Sequence, residues 1–588
     1  MILVLTNADT EILALRTVAE GLPDGFPAVR AANPAGLDEA PPLGGVEVVL
    51  VRLLGGRRAW EAPFDELARR CGAAHIPLLA FGGEAVPDLE LAEATTVAGD
   101  VAARAFEYLV QGGLTNVENL LRFVADTVLG RGYGFEPPVA VPSCGVLGDP
   151  QLDPSRPTIG VVFYRAHVLS GNTQFVADLC SAIERRGANA LPVYCYSLRA
   201  DGAGTAAPAI DLLAERGVDA VVTTVLAAGS SRDDGDGWDA SALASLDVPV
   251  LQAVAATSSS EAWAGSAGGL TPLDVAMAVA VPELDGRIVG PAFSFKETVD
   301  DGADLGAPVT AYRAVADRVE RVAGLATRVA SLRRTPVGER RVALVLSAYP
   351  TKRSRLGNAV GLDTPASVIE LLRALAGAGY RVDRIPSDGD ALMAELADAL
   401  PYASDEPEPL GRGDGAGSWD AAAYGRHFAQ LPAEARTELT EAWGPPPGRF
   451  FVDDGDLVFA GLDLGGVLIA VQPPRGFGES PVAVYHSPDL APTHHYVAFY
   501  RWLDVQWGAH AVVHVGKHGT LEWLPGKSVG LSAACWPDAA LGDLPMIYPF
   551  VMNDPGEGTQ AKRRAHAVIV DHLVPPLTRA DTYDDLAR

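Results

Sequence analysis

The chain has 588 residues, 48% hydrophobic and 20% charged, a size that predicts several domains with separate cores and a composition that excludes bulk disorder. Lys and Arg number 46 against 74 Asp and Glu, a net charge of −28 that argues against nucleic acid and anionic membrane surfaces as partners. The cysteines Cys71, Cys144, Cys180, Cys195 and Cys535 are scattered and never form C-x-x-C, so reduced thiols are expected rather than a disulfide scaffold or structural zinc site. No basic-then-apolar leader opens the chain and no apolar run reaches ~18 residues, so a cytoplasmic protein without a membrane span is expected.

In chain order, residues 2–5 read as a strand and 11–20 as a helix. The apolar runs 46–54 and 76–81 read as strands, with helices around 62–71 and 101–110. Strands alternating with helices imply a parallel sheet covered on both faces, and this first α/β domain is placed at 1–140. The Pro/Gly-rich stretch around GFEPPVAVPSCGVLGDP gives a linker at 141–157. A second α/β domain, 158–335, opens with TIGVVFY, continues through a Gly-Asn loop, a helix at 174–186 and the strand ALPVYCYS, and adds strands at 218–226 and 248–254. It ends in an Ala/Arg-rich connector helix at 311–334. RVALVLS at Arg341 restarts the order of strand, Gly-Asn loop, helix (365–376) and strand (AGYRVDRI). Residues 336–447 are therefore expected to form a second similar unit, with a mobile acidic Pro/Gly loop at 401–420. The predicted class is α/β and multidomain, with several Rossmann-like parallel-sheet units and a larger, incomplete C-terminal α/β region over 448–588.

That last region carries the chemistry. Of the eleven histidines, six fall between 486 and 518: His486, His494, His495, His510, His514 and His518. A single histidine is usually a hydrogen-bonded core or surface residue, but imidazoles concentrate where metals bind or protons move. AHAVVHVGKHG reads as a strand ending at Gly516, with His518 in the following loop, where parallel sheets place their sites. Lys517, His518 and Glu522 put a cation, an imidazole and a carboxylate in one loop. Leu521 and Trp523 flank Glu522, surroundings that raise a carboxyl pKa toward neutrality. Trp502, Trp507, Trp523 and Trp536 either fill a core or wall a cavity for a flat macrocycle. Lys562, Arg563 and Arg564 form a basic patch that either balances charge on a helix face or recognises ligand carboxylates. PGKS at 525–528 falls short of a phosphate-binding loop because Leu521 stands where the first glycine belongs, so any ATP dependence comes from a partner.

Longer motifs carry a resemblance. HVGKHGTLEWLPGKSVGLS (514–532) and YPFVMNDPGEGTQAKRRAHAVIVDHLVPPLTRA (548–580) resemble the large subunits of the cobaltochelatase and magnesium chelatase family. So do FYRAHVLSGNTQFVADLC at 163, FSFKETVDD at 293, NAVGLDTPAS at 358 and YHSPDLAPTHHYVAFYRWL at 485. Lys517, Trp523 and NDPGEGT from Asn553 look like the aerobic cobalt type, where magnesium-type proteins have Thr, Phe and N-N-P-S-E-A-T. The resemblance implies a tetrapyrrole-binding subunit that inserts Co²⁺, its substrate metal, into hydrogenobyrinic acid a,c-diamide in cobalamin biosynthesis. ATP and Mg²⁺ would sit on two smaller partner subunits forming an ATPase ring. It further implies Glu522 and His518 as catalytic groups, one accepting a pyrrole proton or guiding metal and the other relaying. Lys517, Trp523, Lys527, Lys562, Arg563 and Arg564 would meet the substrate, and His514, His486, His494 and His495 would hand on cobalt. Family members continue well past 580, so the chain is expected to be an N-terminal portion. The competing readings are a magnesium chelatase large subunit acting on protoporphyrin IX and a tetrapyrrole-binding scaffold without chemistry. A free-standing metallohydrolase is disfavoured because H-E-x-x-H is absent.

Overall fold

Apolar runs that can be buried on both faces become central parallel strands, and three main sheets are built from them. The computed structural model describes residues 1–199, 207–231, 237–300, 305–347, 362–399, 416–476, 487–516, 519–550 and 555–571. The first sheet is all parallel, in the spatial order Val29–Ala32, Ile2–Thr6, Val48–Leu53, Leu78–Gly82. Helix Glu61–Ala74 packs on one face through Phe64, Leu67 and Cys71. Helices Asp9–Ala19, Gly99–Gln111 and Leu114–Thr127 cover the other.

The second sheet has seven strands, with Thr158–Tyr164, Asn189–Cys195, Ala220–Thr223 and Val250–Ala256 at its parallel centre. Ile288–Asp300 continues it, and antiparallel strands Val309–Ala314 and Cys144–Val146 close its two edges. The expected linker at 141–157 thus contributes an edge strand. The connector helix begins at Ala316 rather than 311, because the residues before it pair with Ile288–Asp300.

The third sheet runs Gly461–Asp463, Val467–Val471, Val342–Leu346, Ala511–Val515, Met546–Phe550, Val568–Asp571, parallel except for the first pair. Val342–Leu346 lies between strands of the C-terminal region, so 336–447 and 448–588 share one sheet and the former is not a free-standing repeat. AGYRVDRI does not form the predicted strand; Val382 makes a single bridge to Gly465. The charges of Arg381, Asp383 and Arg384 would be buried at a central position, whereas VLIAV at 467–471 is apolar throughout and fully buried. Of the expected loop 401–420, residues 401–415 lie outside the described residues. Gly417–Trp419 is a strand, with Trp419 in the core. Among the described residues no helix is long and apolar enough to cross a membrane.

The connector helix Ala316–Arg334 joins the second and third sheets through buried charge. Arg318 and Arg321 reach Asp538 at 3.0 and 2.8 Å, and Arg321 also reaches Asp543 at 2.7 Å. Burial works to raise the Asp538 pKa, but the two guanidiniums outweigh it and hold the carboxyl below its usual range. Removing one partner of such a cluster leaves uncompensated buried charge. Asp538→Ala is therefore expected to lower unfolding free energy by about 3–5 kcal/mol in urea titrations. A loss below about 1 kcal/mol, the range of an exposed pair, would show that the cluster does not join the sheets.

Candidate functional site

The parallel strands 342–346, 467–471, 511–515 and 546–550 end side by side, with Ser347, Gln472 and Gly516 just beyond three of their ends. Gly516 ends strand Ala511–Val515 with φ +128°, and a Cβ at this position would stand 2.5 Å from Ser347 Oγ. The chain can leave the strand here only as glycine. Lys517 and His518 lie outside the described residues, as does His486. The turn Leu521–Trp523 then carries Glu522 inward to zero exposure.

Three sets of contacts fix this loop. Arg564, on helix Pro555–Ala565, donates to the carbonyls of Glu522 (2.6 Å), Leu524 (2.8 Å) and Lys527 (3.1 Å). From the second sheet's region, Trp263 Nε1 donates to Gly530 O at 2.7 Å, and Gly269 bridges to Val529. Lys527 Nζ donates back to Ala264 O and Ser266 O at 2.9 and 2.6 Å. From below, Gln472 at the end of Val467–Val471 accepts the Thr520 N–H at 3.2 Å. Its amide donates to Tyr496 and Tyr500 at 3.2 and 2.8 Å, and Tyr496 bonds Thr520 Oγ1 at 2.8 Å.

Inside this frame Tyr548 donates to Glu522 Oε1 at 3.0 Å and accepts the Gly519 N–H. The His514 ring stacks on Tyr548 with centroids 4.9 Å apart and planes at 13°. A Cβ on Gly519 would lie 2.6 Å from Tyr548 Oη, 3.0 Å from His514 Nε2 and 3.2 Å from Glu522 Oε2. The phenol, the imidazole and the carboxyl therefore converge on one backbone position that has no room for a side chain.

Burial raises the Glu522 carboxyl to about 7, against the opposing hydrogen bonds from backbone N–H groups and Tyr548, with the negative charge of Glu557 adding to the rise. Burial also lifts Tyr496, Tyr500 and Tyr548 above the usual phenol range, so they stay protonated at neutral pH. Glu522 Oε2 has no hydrogen-bond partner among the described residues. A carboxyl that changes charge near neutrality, with one oxygen held and one unengaged, is suited to accepting and releasing a proton.

The sequence profile of the CobN/Magnesium Chelatase family matches residues 106–588. The chain belongs to that family. It is 40% identical over its full length to the aerobic cobaltochelatase subunit CobN of Pseudomonas aeruginosa, covering 48% of that protein. It is 30% identical to a magnesium-chelatase subunit of Rhodobacter capsulatus across 82% of the chain and 42% of the relative. A solved structure described as the catalytic subunit of cobaltochelatase from Mycobacterium tuberculosis superposes with a TM-score of 0.82 at 48% identity, covering all of this chain and 48% of that one. The chain spans about half the length of the curated relatives it matches.

For this chelatase-family chain the structure sorts the predicted site residues. Glu522 and His514 come together, and Trp523 beside them is 39% exposed, while Trp502, Trp507 and Trp536 fill the core. His494 does not fit a metal-ligand role: its Nε2–H donates to Gly444 O and its Nδ1 accepts from Tyr424, both at 2.9 Å. His495 donates from Nε2 to Val458 O at 2.7 Å and packs between Phe451 and Phe459. Burial lowers both to about 4, the state of neutral core histidines. Among the described residues no group of three or more His, Cys, Asp or Glu is arranged to hold a metal.

The basic residues are corrected likewise. Arg563 forms a two-point ion pair with Glu283 at 2.7 and 3.0 Å, and Arg564 and Lys527 are committed to backbone carbonyls. Arg564 and Lys527 hold the site loop and Arg563 holds Glu283, rather than presenting charge to a ligand. Lys562, on the same helix, is half-buried. Tyr548, Tyr496, Tyr500, Gln472 and Thr520 were not singled out from the sequence. Tyr548 and Thr520 stood inside quoted motifs, and Tyr496 and Tyr500 are four apart on helix His494–Trp502, a spacing that puts both on one face.

Glu522 also sets a stability signature. A free glutamate titrates near 4.5 and this one near 7, so the folded state holds the proton more tightly than the unfolded chain. The folded state's advantage is complete below about 4.5 and is lost as pH rises through 7. Glu522→Gln, which keeps the acceptor for Tyr548 but cannot ionise, is expected to stabilise the protein at pH 8 by up to ~3 kcal/mol, and by little at pH 4.5. Urea midpoints at the two pH values check this, and an equal effect at both would remove the neutral titration from Glu522. Arg564→Ala is expected to cost about 3 kcal/mol, because it strands buried carbonyls. It should also increase hydrogen exchange in 519–530.

Proposed function

We propose that the chain forms the tetrapyrrole-binding part of a cobaltochelatase large subunit, which takes Co²⁺ as substrate and inserts it into hydrogenobyrinic acid a,c-diamide in cobalamin biosynthesis. ATP is hydrolysed on two smaller partner subunits, where its Mg²⁺ also sits. The observation that carries this reading is the fully buried Glu522, titrating near 7 with Oε2 unengaged among the described residues, at the convergence of Tyr548, His514 and Gly519. Insertion of a divalent cation into a corrin, which binds metal as a mono-anion, releases its one ring N–H proton. Glu522 accepts a ring N–H proton at Oε2 while Tyr548 holds Oε1, and the proton then passes outward. His518, four positions earlier, is the motif-based candidate for that relay. Tyr548 also fixes the rotamer, so the basic oxygen faces one direction. Trp523, exposed at the edge of the turn, offers an aromatic face to the macrocycle.

The choice of cobalt over magnesium is supported by the higher identity to cobaltochelatase subunits, 40% against 30%. Lys517, Trp523 and Asn553–Thr559 support it too. Histidine richness does not support it, since His494 and His495 are core residues.

Titration of the purified chain with hydrogenobyrinic acid a,c-diamide beside protoporphyrin IX, followed by quenching of tryptophan fluorescence, is expected to show binding of the corrinoid alone. Preference for the porphyrin would place the chain in the magnesium branch. In the assembled complex, Glu522→Gln is expected to lower the insertion rate by roughly 10²–10⁴-fold while keeping macrocycle affinity. The wild-type rate should rise between pH 6 and 8 as the carboxylate forms. Normal insertion by the variant would leave a scaffold role and exclude Glu522 as the base.

A further inference from the structure

The N-terminal sheet has its own opening for a ligand, remote in sequence from Glu522. From Ile2–Thr6 the chain moves to one side to form Val29–Ala32, then returns to the other to form Val48–Leu53. Helices leaving the carboxyl ends of neighbouring strands diverge at such a reversal, and open α/β sheets bind ligands in the crevice this creates. Two cavities lie at that crevice, of about 340 and 330 Å³, with Thr10 in the walls of both. Helix Arg165–Leu169 and the loop after it, from the second sheet's unit, roof them. The larger cavity has an apolar body, including Leu15, Leu50, Val117 and Leu121. Its volume is within the range of small-molecule sites.

The cationic groups in the walls are already engaged. Arg52 pairs with Glu11 at 2.5 Å and Lys296 pairs with Asp9. Arg165 donates to the carbonyls of Gln111, Val141 and Pro142 at 2.9–3.0 Å. Uncharged polar atoms are what the walls leave over. Asn172 is 5% exposed and lines the smaller cavity, and its Oδ1 has no hydrogen-bond partner among the described residues. Thr310 Oγ1 in the same wall is buried and equally without one among the described residues. Buried polar atoms in that state are costly unless a ligand or water satisfies them.

We infer that this crevice is a second binding site, for a small uncharged molecule with an apolar body and one hydroxyl or amide end. The body fills the larger cavity, and the polar end turns past Thr10 toward Asn172 and Thr310. An anionic ligand is disfavoured because the cations named in the walls are all engaged.

The probe is 2-naphthol, a neutral bicyclic with one hydroxyl, titrated into the full chain by isothermal calorimetry beside 2-naphthoate, which has the same body and a charge. Saturable one-to-one binding of 2-naphthol is expected, with 2-naphthoate at least about tenfold weaker. Asn172→Ala should weaken 2-naphthol roughly threefold to tenfold, the effect of one hydrogen bond. Ala14→Phe, which fills the larger cavity from its buried wall, should abolish binding, and Glu522→Gln should leave it unchanged. No saturable binding, equal affinity for the naphthoate, or sensitivity to Glu522→Gln in place of Asn172→Ala would each overturn the assignment. The Asn172→Ala arm keeps the test decisive if Ala14→Phe does not fold.

Discussion

The arrangement around the third sheet depends on keeping one carboxyl group at zero exposure without an ion pair among the described residues. Burial dominates the titration of Glu522, with a phenol and backbone N–H groups opposing it. The nearby guanidinium of Arg564 binds the backbone carbonyl of Glu522 at 2.6 Å instead of its carboxylate. The same guanidinium on the carboxylate would have pulled the pKa below 4.5, leaving a permanently ionised and unreactive group. By binding carbonyls it makes the loop rigid and leaves the acid titrating near neutrality.

That rigidity is assembled from elements far apart in sequence. Trp263 and Gly269 reach the loop from the second sheet's unit, Gln472 and Tyr496 from the third, and Arg564 from the helix Pro555–Ala565. The buried cluster of Arg318, Arg321 and Asp538 sets how the two sheet units meet, and Arg318 also donates to Leu531 O at the far end of the same segment. Position of the carboxyl and docking of the sheets are therefore one problem. A shift between the units would move the loop, and with it the distance from Tyr548 to Glu522.

Much of this was legible in the sequence, and the misses have physical causes. The α/β class followed from apolar runs alternating with helical periodicity, and Glu522 from a carboxylate set between Leu521 and Trp523 in a loop after a strand. The density of histidines misled for His494 and His495. An imidazole that bonds a tyrosine and a carbonyl in an aromatic core has the same sequence signature as one that binds metal. Arg563 and Arg564 read as one patch, but neighbours on a helix point about 100° apart, and they serve Glu283 and the site loop separately. The sharing of one sheet by 342–346 and 467–471 was hidden because strand partners are chosen in three dimensions. Tyr548 was hidden for the same reason: its role exists only where Gly519 allows the phenol, the imidazole and the carboxyl to meet.

A carboxyl with a pKa near 7 also suits metal transfer better than a fully ionised one, on the reading proposed for this site. The chain's charge of −28 raises the local concentration of cations at its surface. A permanently charged pair of buried carboxylates at the end of that path would hold a divalent ion in the ground state and slow its release to the macrocycle. Catalysis gains only from interactions that strengthen in the transition state. A base with a pKa near 7 can be ionised before the ring proton leaves and neutral once it has arrived, so neither state is costly at neutral pH. The attraction of the carboxylate for the metal thus ends at the step where the ring proton and the metal exchange.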